Sequence, residues 1–448
     1  MSERWRDANA AELGRGIGAG RIDPRELTDV FLDAIDAHPD ADRIYARLTP
    51  KRARVEAAEA ADRAKSGARL GPLDGVPISW KDNYDIAGEV TEAGSMLLKG
   101  KVADKDAACF TAARAAGLVC LGKTHLSELA FSGLGVNPKT ATPPNAFEPA
   151  RAPGGSSSGA AVSVALGLAA AGIGSDTGGS VRIPAAWNGL AGLKTTAGVI
   201  PCDGVVPLST TYDTVGPLCH TVEDCGLFFS VLAQRPQEVP AAADLSKVKF
   251  LVPETVVLDG CDPEPLAAFE AAVDALGSAG AKINRGPVPE LAEAIDVTVT
   301  VSPVVNSEAW RIWGETIEVN PGVMFEFIEK RFRSGMGADP KKDARALAEL
   351  DKLSKRIQRR MSEQGVILMP SSPCLPPPVD RLLSEESFYA ERNLLALRNT
   401  RLGNLLVLSA LTVPVAAPMC GLMLVGGSGQ EDLLLALGRA VEPVVRAG

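Results

Sequence analysis

Two clusters of glycine and serine stand out as places where this chain could do chemistry. They span residues 154–159 (GGSSSG) and 174–180 (GSDTGGS), on either side of an apolar stretch. Glycines directly before a serine allow several backbone N–H groups to point into one concavity, which suits an anion or a developing oxyanion. Ser180, at the end of the second cluster, is therefore a candidate nucleophile held next to its own oxyanion hole.

A nucleophilic serine needs a base, and the sequence offers few candidates. The chain has three histidines, His38, His125 and His220, all near predicted helix ends, where capping or solvent-facing roles are expected. Lys81 is an alternative, because it ends the apolar segment 76–80 and burial lowers the pKa of a lysine by disfavouring its ammonium form. Since a lysine at the end of a strand is more often a surface charge, the residue pattern alone leaves the base open.

A phosphate-binding loop is the main competing interpretation of the glycine-rich sequence. The pattern GxxxxGK(S/T) occurs once, over residues 117–124, whereas GxGxxG does not occur. The middle residues of the match, LVCL, are typical of a buried strand and not of a loop that cradles phosphates. We therefore regard the match as fortuitous and predict no nucleotide or other cofactor.

Short apolar segments alternate with alanine-rich helical patterns, and this rhythm predicts an α/β sheet with some parallel pairing. Glycine, serine, proline and threonine become dense between residues 132 and 219, yet apolar runs persist there, so a flexible linker is not expected. One mixed α/β domain is the preferred interpretation. The predicted helices are 25–37, 51–65, 107–116, 263–276 and 431–440, and the predicted strands are 76–80, 118–121, 248–252, 282–284 and 422–425.

Composition and charge argue against several classes of protein. The chain has 448 residues, of which 46% are hydrophobic and 23% charged, with a net charge of −9. Such an acidic chain is a poor direct partner for nucleic acid or an anionic membrane, and no secretory signal or membrane-length apolar segment is visible. The eight cysteines are scattered without a CxxC pair, which favours reduced thiols in the cytoplasm over a zinc or other metal site.

Three segments together resemble the signature core of the amidase signature family. They are residues 77–82 (PISWKD), 154–159 (GGSSSG) and 174–185 (GSDTGGSVRIPA). The third is long and specific, and the resemblance covers residues 71–217 well and the ends of the chain more loosely. It implies one amidase domain over 1–448, an α/β fold with a mixed central β-sheet flanked by helices on both sides. The region 230–448 is then the variable part that sets substrate specificity.

The resemblance also implies a Ser–Ser–Lys triad. Ser180 matches the nucleophile, Lys81 matches the base, and Ser156 matches a bridging serine whose preceding peptide bond is typically cis in the family. Such an enzyme hydrolyses a carboxamide through an acyl-enzyme on the nucleophile, releases ammonia or an amine, and needs no metal or cofactor. The matching oxyanion donors are the backbone N–H groups of Thr177, Gly178 and Gly179, with that of Ser180 also available.

Other residues are expected to support the site. By resemblance, Asp176 and Arg182 brace the loop that carries the nucleophile and do not contact substrate. No feature of the sequence separates aliphatic, aryl or urea-like amides, so only a small-molecule amide is predicted as the substrate. The expected pocket walls are residues 131–135, Trp187, Tyr212 and residues 370–373.

Two alternatives stay open within the family. A glutamine-hydrolysing A-type subunit of an aminoacyl-tRNA amidotransferase would need partner subunits, and segments 127–145 and 203–208 differ from what such subunits are expected to carry. A non-catalytic binding member would normally lack the lysine or a serine, and all of these are present here. We expect a cytoplasmic enzyme, for which the family makes a homodimer plausible.

Overall fold

A computed structural model describes residues 2–447, and in this part of the chain eleven strands form one sheet. The strands are β1 (Tyr45–Leu48), β2 (Pro77–Lys81), β3 (Val119–Thr124), β4 (Ala171–Asp176), β5 (Ala191–Lys194), β6 (Thr214–Cys219), β7 (Lys249–Pro253), β8 (Lys282–Gly286), β9 (Val366–Pro370), β10 (Ser409–Pro414) and β11 (Gly421–Gly426). Their order across the sheet is β1-β3-β2-β4-β6-β5-β10-β11-β9-β7-β8.

The sheet is mixed, as expected. Strand β2 runs parallel to both β3 and β4, and β7 runs parallel to both β8 and β9, whereas the other neighbours pair antiparallel. Every residue of β4 and β10 is buried. Because successive side chains of a strand point to opposite faces, both faces of the sheet must be covered by helices.

The described residues form seventeen α-helices around the sheet. None of them combines the length and the apolar character that crossing a bilayer demands. The helices are α1 (Ala10–Gly18), α2 (Pro24–Ala37), α3 (Ala41–Ile44), α4 (Pro50–Ser66), α5 (Ala108–Ala115), α6 (Ser158–Ala165), α7 (Arg182–Trp187), α8 (Val222–Leu232), α9 (Pro263–Ser278), α10 (Pro289–Thr300), α11 (Val304–Glu318), α12 (Glu326–Arg333), α13 (Pro340–Gln364), α14 (Val379–Ser384), α15 (Glu386–Leu397), α16 (Thr400–Leu405) and α17 (Glu431–Ala447).

Local sequence signals account for the ends of several helices. Asp23 caps α2 by accepting a hydrogen bond from the N–H of Arg25, and Pro24 occupies the first helical position, where its missing N–H costs nothing. Helix α4 ends at Gly67, whose φ of 72° is left-handed and therefore suits glycine. The helices and strands predicted from the sequence are all present, and their ends differ by at most three residues, except that α17 continues to Ala447 where the prediction ended at 440.

The glycine-rich region is not a linker, because it supplies β4, β5 and β6 at the centre of the sheet.

The segment that matches the phosphate-loop pattern forms a strand and not a loop. Strand β3 is longer than predicted and includes Lys123 and Thr124, both completely buried. The Lys123 ammonium lies 2.9 Å from the carboxylate of Asp82, so this lysine is engaged inside the protein and does not face a nucleotide.

The parallel pairing of β2 with β4 determines where the two signature segments meet. Trp80 pairs with Ile173, so Lys81 at the end of β2 lies next to the last residues of β4. Side chains that follow the carboxyl ends of parallel strands share one edge of the sheet, which is the usual position of a site in such folds. A hydrophobic cluster formed largely by side chains of α7, α11, α12 and α15 packs over this edge.

Candidate active site

Lys81 is a completely buried basic group at this edge of the sheet. Its side chain is 0% exposed, and its Nζ donates to Ser156 Oγ at 2.7 Å and to Ser175 Oγ at 2.8 Å. A third, longer contact of 3.4 Å reaches the carbonyl oxygen of Ser175. All of these partners are neutral oxygens, so no contact of the ammonium compensates its charge directly.

Burial lowers the pKa of Lys81 to about 7, and the negative charges of Asp176 and Asp213 oppose this shift only in part. The unprotonated amine is therefore well populated near neutral pH. A neutral amine that contacts a hydroxyl can accept its proton, which is the property that a general base requires.

Ser156 is the serine of its cluster that faces Lys81. The peptide bond between Gly155 and Ser156 is cis. The two neighbouring hydroxyls point elsewhere, since Ser157 donates to the carbonyl oxygen of Ser175 at 3.2 Å and Ser158 donates to that of His125 at 3.3 Å. The structure therefore brings together the lysine and the bridging serine that the resemblance suggested.

The histidines do not take part in this arrangement. Within the described residues, none of the three imidazoles makes a hydrogen bond to Ser156 or Ser180. The expectation of a capping or solvent-facing role is wrong for His125, which follows β3 and is only 9% exposed. Its Nε2 lies 3.1 Å from the carbonyl oxygen of Asp42 in α3, so it packs against that short helix as a structural group.

Ser180 lies in the turn between β4 and α7, at the wall of a cavity. Its carbonyl oxygen accepts a hydrogen bond from the N–H of Ser157 at 3.2 Å, which ties the two glycine-serine clusters together. Ser156 and Ser180 make no direct hydroxyl-to-hydroxyl hydrogen bond in the described structure. Catalytic hydrogen bonds are often longer in a ligand-free enzyme and tighten when substrate binds.

The turn before Ser180 carries the residues that the resemblance marks as oxyanion donors. Thr177, Gly178 and Ser180 line the cavity. The assignment of Gly179 as an oxyanion donor is not what the structure shows, because its N–H donates to Asp176 Oδ1 at 2.8 Å. A carboxylate is a stronger acceptor than a carbonyl oxygen, so this N–H is already used to hold the turn.

Asp176 and Arg182 brace this turn, as predicted. Both side chains are 0% exposed, and Arg182 Nε and Nη2 contact the carboxylate at 3.0 and 2.9 Å. Burial alone would raise the pKa of Asp176, but the Arg182 guanidinium holds it well below its usual range. Arg182 also donates to the carbonyl oxygen of Thr400 and to Asn404 Oδ1, both at 2.6 Å, so α16 is tied to the turn.

No role was predicted from the sequence for three polar residues around Lys81 and Thr177, which are Asn83, Ser175 and Asp213. Ser175 accepts hydrogen bonds from Lys81 and, at 3.0 Å, from Asn83 Nδ2. Asp213 accepts from the hydroxyl of Thr177 at 2.5 Å and from two backbone N–H groups, and burial raises its pKa. Ser175 lies inside the third signature segment, which was a usable signal, whereas nothing local in the sequence marks Asp213.

The cavity beside Ser180 has a volume of about 450 Å³, which suits a small organic molecule. Of the predicted wall segment 131–135, Phe131 and Ser132 line the cavity and residues 133–135 do not. Trp187, Tyr212 and residues 370–373 do not line the cavity, so their prediction as pocket walls is wrong. Trp187 instead packs in the core and donates through its indole N–H to the carbonyl oxygen of Cys374 at 3.2 Å.

Most of the cavity wall comes from the C-terminal half of the chain. Helices α11, α12, α15 and α16 and the end of α10 contribute side chains that the sequence did not single out. The lining is mainly apolar, with charged groups on α12, α15 and α16. These charged residues are Lys330, Arg331, Glu386 and Arg401.

Comparisons with known proteins agree with this arrangement. A family model described as Amidase matches residues 26–435. The chain is 35% identical to 2-amino-5-chloromuconic acid deaminase of Comamonas testosteroni, over 98% of this chain and 98% of that protein. It is 29% identical to the A-type subunit of glutamyl-tRNA(Gln) amidotransferase from Chloroflexus aurantiacus, over 95% of this chain and 94% of that protein. A solved structure described as a crystal structure of amidase superposes with a TM-score of 0.87 at 28% identity, covering 98% of this chain and 100% of that one.

Fold and site together define a hydrolase of amide C–N bonds built on a mixed α/β sheet. The chain belongs to the amidase family, the amidase signature enzymes.

Proposed function

We propose that this amidase hydrolyses the carboxamide of a small molecule through an acyl-enzyme on Ser180, with Lys81 as the base and Ser156 as the relay. One observation carries the proposal: a fully buried lysine with a pKa near 7 lies 2.7 Å from the hydroxyl of Ser156. An amine with that pKa takes up and returns a proton near neutral pH, as both halves of an acyl transfer require.

Acylation begins with two proton transfers. Neutral Lys81 accepts the proton of Ser156, Ser156 accepts that of Ser180, and Ser180 Oγ attacks the carbonyl carbon of the amide. The carbonyl oxygen becomes an oxyanion, which the N–H groups of Thr177, Gly178 and Ser180 stabilise. Loss of one such donor typically raises a barrier by about 3 kcal/mol.

Collapse of the tetrahedral intermediate breaks the C–N bond. The relay through Ser156 returns the proton from the Lys81 ammonium to the leaving nitrogen, which departs as ammonia or an amine. The acyl group remains as an ester on Ser180. A water molecule then attacks this ester, gives its proton to the same relay, and releases the carboxylic acid and the free serine hydroxyl.

The substrate is proposed to be a small-molecule amide. The cavity volume of about 450 Å³ suits such a ligand, and one relative, named as a deaminase of 2-amino-5-chloromuconic acid, is similar along the whole chain. We also propose that residues 1–448 act as one amidase domain in the cytoplasm, as a homodimer and without a tRNA amidotransferase partner.

The test is release of ammonia or amine by the purified chain across a panel of primary and secondary amides, glutamine and asparagine included. Release that disappears in Ser180→Ala supports a self-sufficient amidase. Activity on glutamine only after addition of amidotransferase subunits would favour the amidotransferase alternative. Full activity in Ser180→Ala would contradict the proposed nucleophile, and light scattering of the same preparation tests the homodimer.

A further inference from the structure

Two arginines, Arg331 of α12 and Arg401 of α16, line the active-site cavity without a carboxylate partner. In residues 2–447 neither guanidinium forms a salt bridge or a hydrogen bond, and the Nε of each is buried and unpaired. Two neighbouring arginines, by contrast, do have partners. Arg333, two residues along α12, pairs with Glu329 at 2.7 Å, and Arg398 donates to the carbonyl oxygen of Val257 at 3.0 Å.

The surroundings of these two side chains disfavour their positive charges. Burial lowers the pKa of Arg331, and the nearby charge of Arg401 lowers it further. Burial and the charge of Arg398 likewise lower the pKa of Arg401. Both side chains are still partly exposed, so their terminal nitrogens are accessible from the cavity while only Nε is buried. Partly desolvated guanidinium groups without a counter-charge favour an anionic partner.

The other charged groups of the cavity do not neutralise this pair. Lys330 and Glu386 lie at the rim, where both are about half exposed, and they pair with each other at 2.6 Å. Two positive charges are therefore unmatched in the described lining, although the whole chain carries a net charge of −9. A positive cavity in an acidic protein attracts anionic ligands.

Asn393, a residue of the same cavity lining, carries a third unpaired donor. Asn393 Oδ1 accepts hydrogen bonds from the N–H of Gly133 at 2.9 Å and from Ser132 Oγ at 3.2 Å. Because a backbone N–H can only donate, this contact settles which way the amide is oriented, and the Nδ2 of Asn393 is left buried and unpaired. Among the described lining residues the buried unsatisfied groups are thus all donors and none is an acceptor, so the lining favours negative over positive charge.

The arginines lie close to the reacting groups. A Cβ placed on Gly178, in the turn before Ser180, would lie 3.9 Å from the Cβ of Arg401. The guanidinium carbon of Arg331 lies 4.5 Å from the ring centroid of Phe131 on the wall beside Ser132, a contact that fixes its position but supplies no counter-charge. A ligand that spans these groups and Ser180 fits within the cavity volume of about 450 Å³.

We propose that the substrate carries a carboxylate in addition to its scissile amide, and that the terminal guanidinium nitrogens of Arg331 and Arg401 bind this carboxylate. The planar fork of a guanidinium matches the two oxygens of a carboxylate, and such charged pairs orient a ligand as well as hold it. The inference rests on the proposed function, since it concerns the substrate of the same cavity.

The experiment compares substrates that differ only in charge. Each ω-amido acid from malonamate to adipamate is paired with the diamide of the same length, in which a neutral amide replaces the carboxylate. We expect at least one amido acid to have a kcat/KM about 100-fold above that of its diamide. In Arg331→Met and Arg401→Met this preference should fall by about the same factor, because kcat/KM for the amido acid decreases while kcat/KM for the diamide does not change. Arg333→Met and Arg398→Met are the matched controls, which should keep the preference.

A binding measurement, which needs no turnover, tests the carboxylate site independently of the proposed catalytic mechanism. Ser180→Ala should bind glutarate or succinate by calorimetry, and the double variants with Arg331→Met or Arg401→Met should not. The ligand-free arginine variants should melt at or above the wild-type temperature, because a partly buried charge without a counter-charge has been removed.

Two results would overturn the inference. One is hydrolysis of diamides as efficient as that of amido acids, with no change in preference in either arginine variant. The other is the absence of any carboxylate binding to Ser180→Ala across the series. Hydrolysis of no amide at all, combined with arginine-dependent carboxylate binding, would instead contradict the proposed function and leave the carboxylate site standing.

Discussion

Asp176 and Arg182 form a completely buried ion pair in which both carboxylate oxygens and two guanidinium nitrogens take part. The same carboxylate accepts the N–H groups of Gly179 and Val181, on either side of Ser180. The pair therefore fixes the backbone on both sides of the proposed nucleophile, and Ser180 itself lines the cavity.

Asp176→Asn is expected to destabilise the protein by about 3–5 kcal/mol, because it leaves the Arg182 charge buried and uncompensated. Chemical denaturation measures the change. The matched control is Asp432→Asn, which removes the carboxylate of a half-exposed pair with Arg235 and should cost less than about 1 kcal/mol. Equal effects of the two substitutions would show that the buried pair does not brace the turn.

Substitution of neighbouring serines should separate the relay from its surroundings. Ser156→Ala removes the hydroxyl that contacts Lys81 and should lower kcat by about 10²- to 10⁴-fold. Ser157→Ala removes only a donor to the carbonyl oxygen of Ser175 and should lower kcat by about tenfold or less. Steady-state kinetics on any accepted amide gives both values, and a larger loss in Ser157→Ala would reverse the assignment.

The dependence of activity on pH should report Lys81. Because the neutral amine is the proposed base, log kcat/KM should rise with a slope of one as pH increases and level off above about 7, where burial has placed the pKa of Lys81. Lys81→Met should abolish this limb together with most of the activity. A flat profile from pH 5 to 8, with activity retained in Lys81→Met, would exclude the lysine as the base.

The stability of the protein should depend on pH through the same group, with a defined sign. The usual pKa of lysine is 10.5, so between about pH 7 and that value the unfolded chain binds a proton at Lys81 that the folded chain does not. The free energy of unfolding therefore rises with pH across this window, and the contribution is lost as pH falls through it. Burial also lowers the pKa of Lys194 to about 7, so this residue contributes to the pH dependence of stability as well. Its contribution is the same in the wild type and in Lys81→Met, and the difference between the two stability profiles therefore reports Lys81 alone.

Two adjacent glycines of the turn should respond differently to alanine. Gly179 has a φ of 142° and a Cβ there would lie 2.2 Å from Thr400 Oγ1, so Gly179→Ala is both strained and crowded. We expect a loss of about 1–3 kcal/mol. A Cβ on Gly178 would meet nothing closer than 3.7 Å, so Gly178→Ala should keep nearly wild-type stability. Thermal unfolding of the two variants compares them directly, and equal melting temperatures would contradict the backbone argument.

Features that depend on a few consecutive residues could be predicted from the sequence. Asp23-Pro24 marked the start of α2, and the alternation of apolar runs with helical patterns predicted a mixed α/β sheet. The signature segments, taken with the family resemblance, were enough to single out Lys81, Ser156 and Ser180. Each of these inferences depends on capping, periodicity or a motif within a short window, where the sequence carries the physical information directly.

Contacts between segments far apart in the chain could be learned only from the folded molecule. The N–H of Gly179 is engaged by Asp176, and Tyr212 and Trp187 are core residues and not pocket walls, because packing sets the direction of each group. Arg331 and Arg401 carry no mark in the sequence that distinguishes them from the other arginines. What distinguishes them is their position in the cavity beside Ser180 with no carboxylate partner among residues 2–447, and this position is a property of the folded chain as a whole.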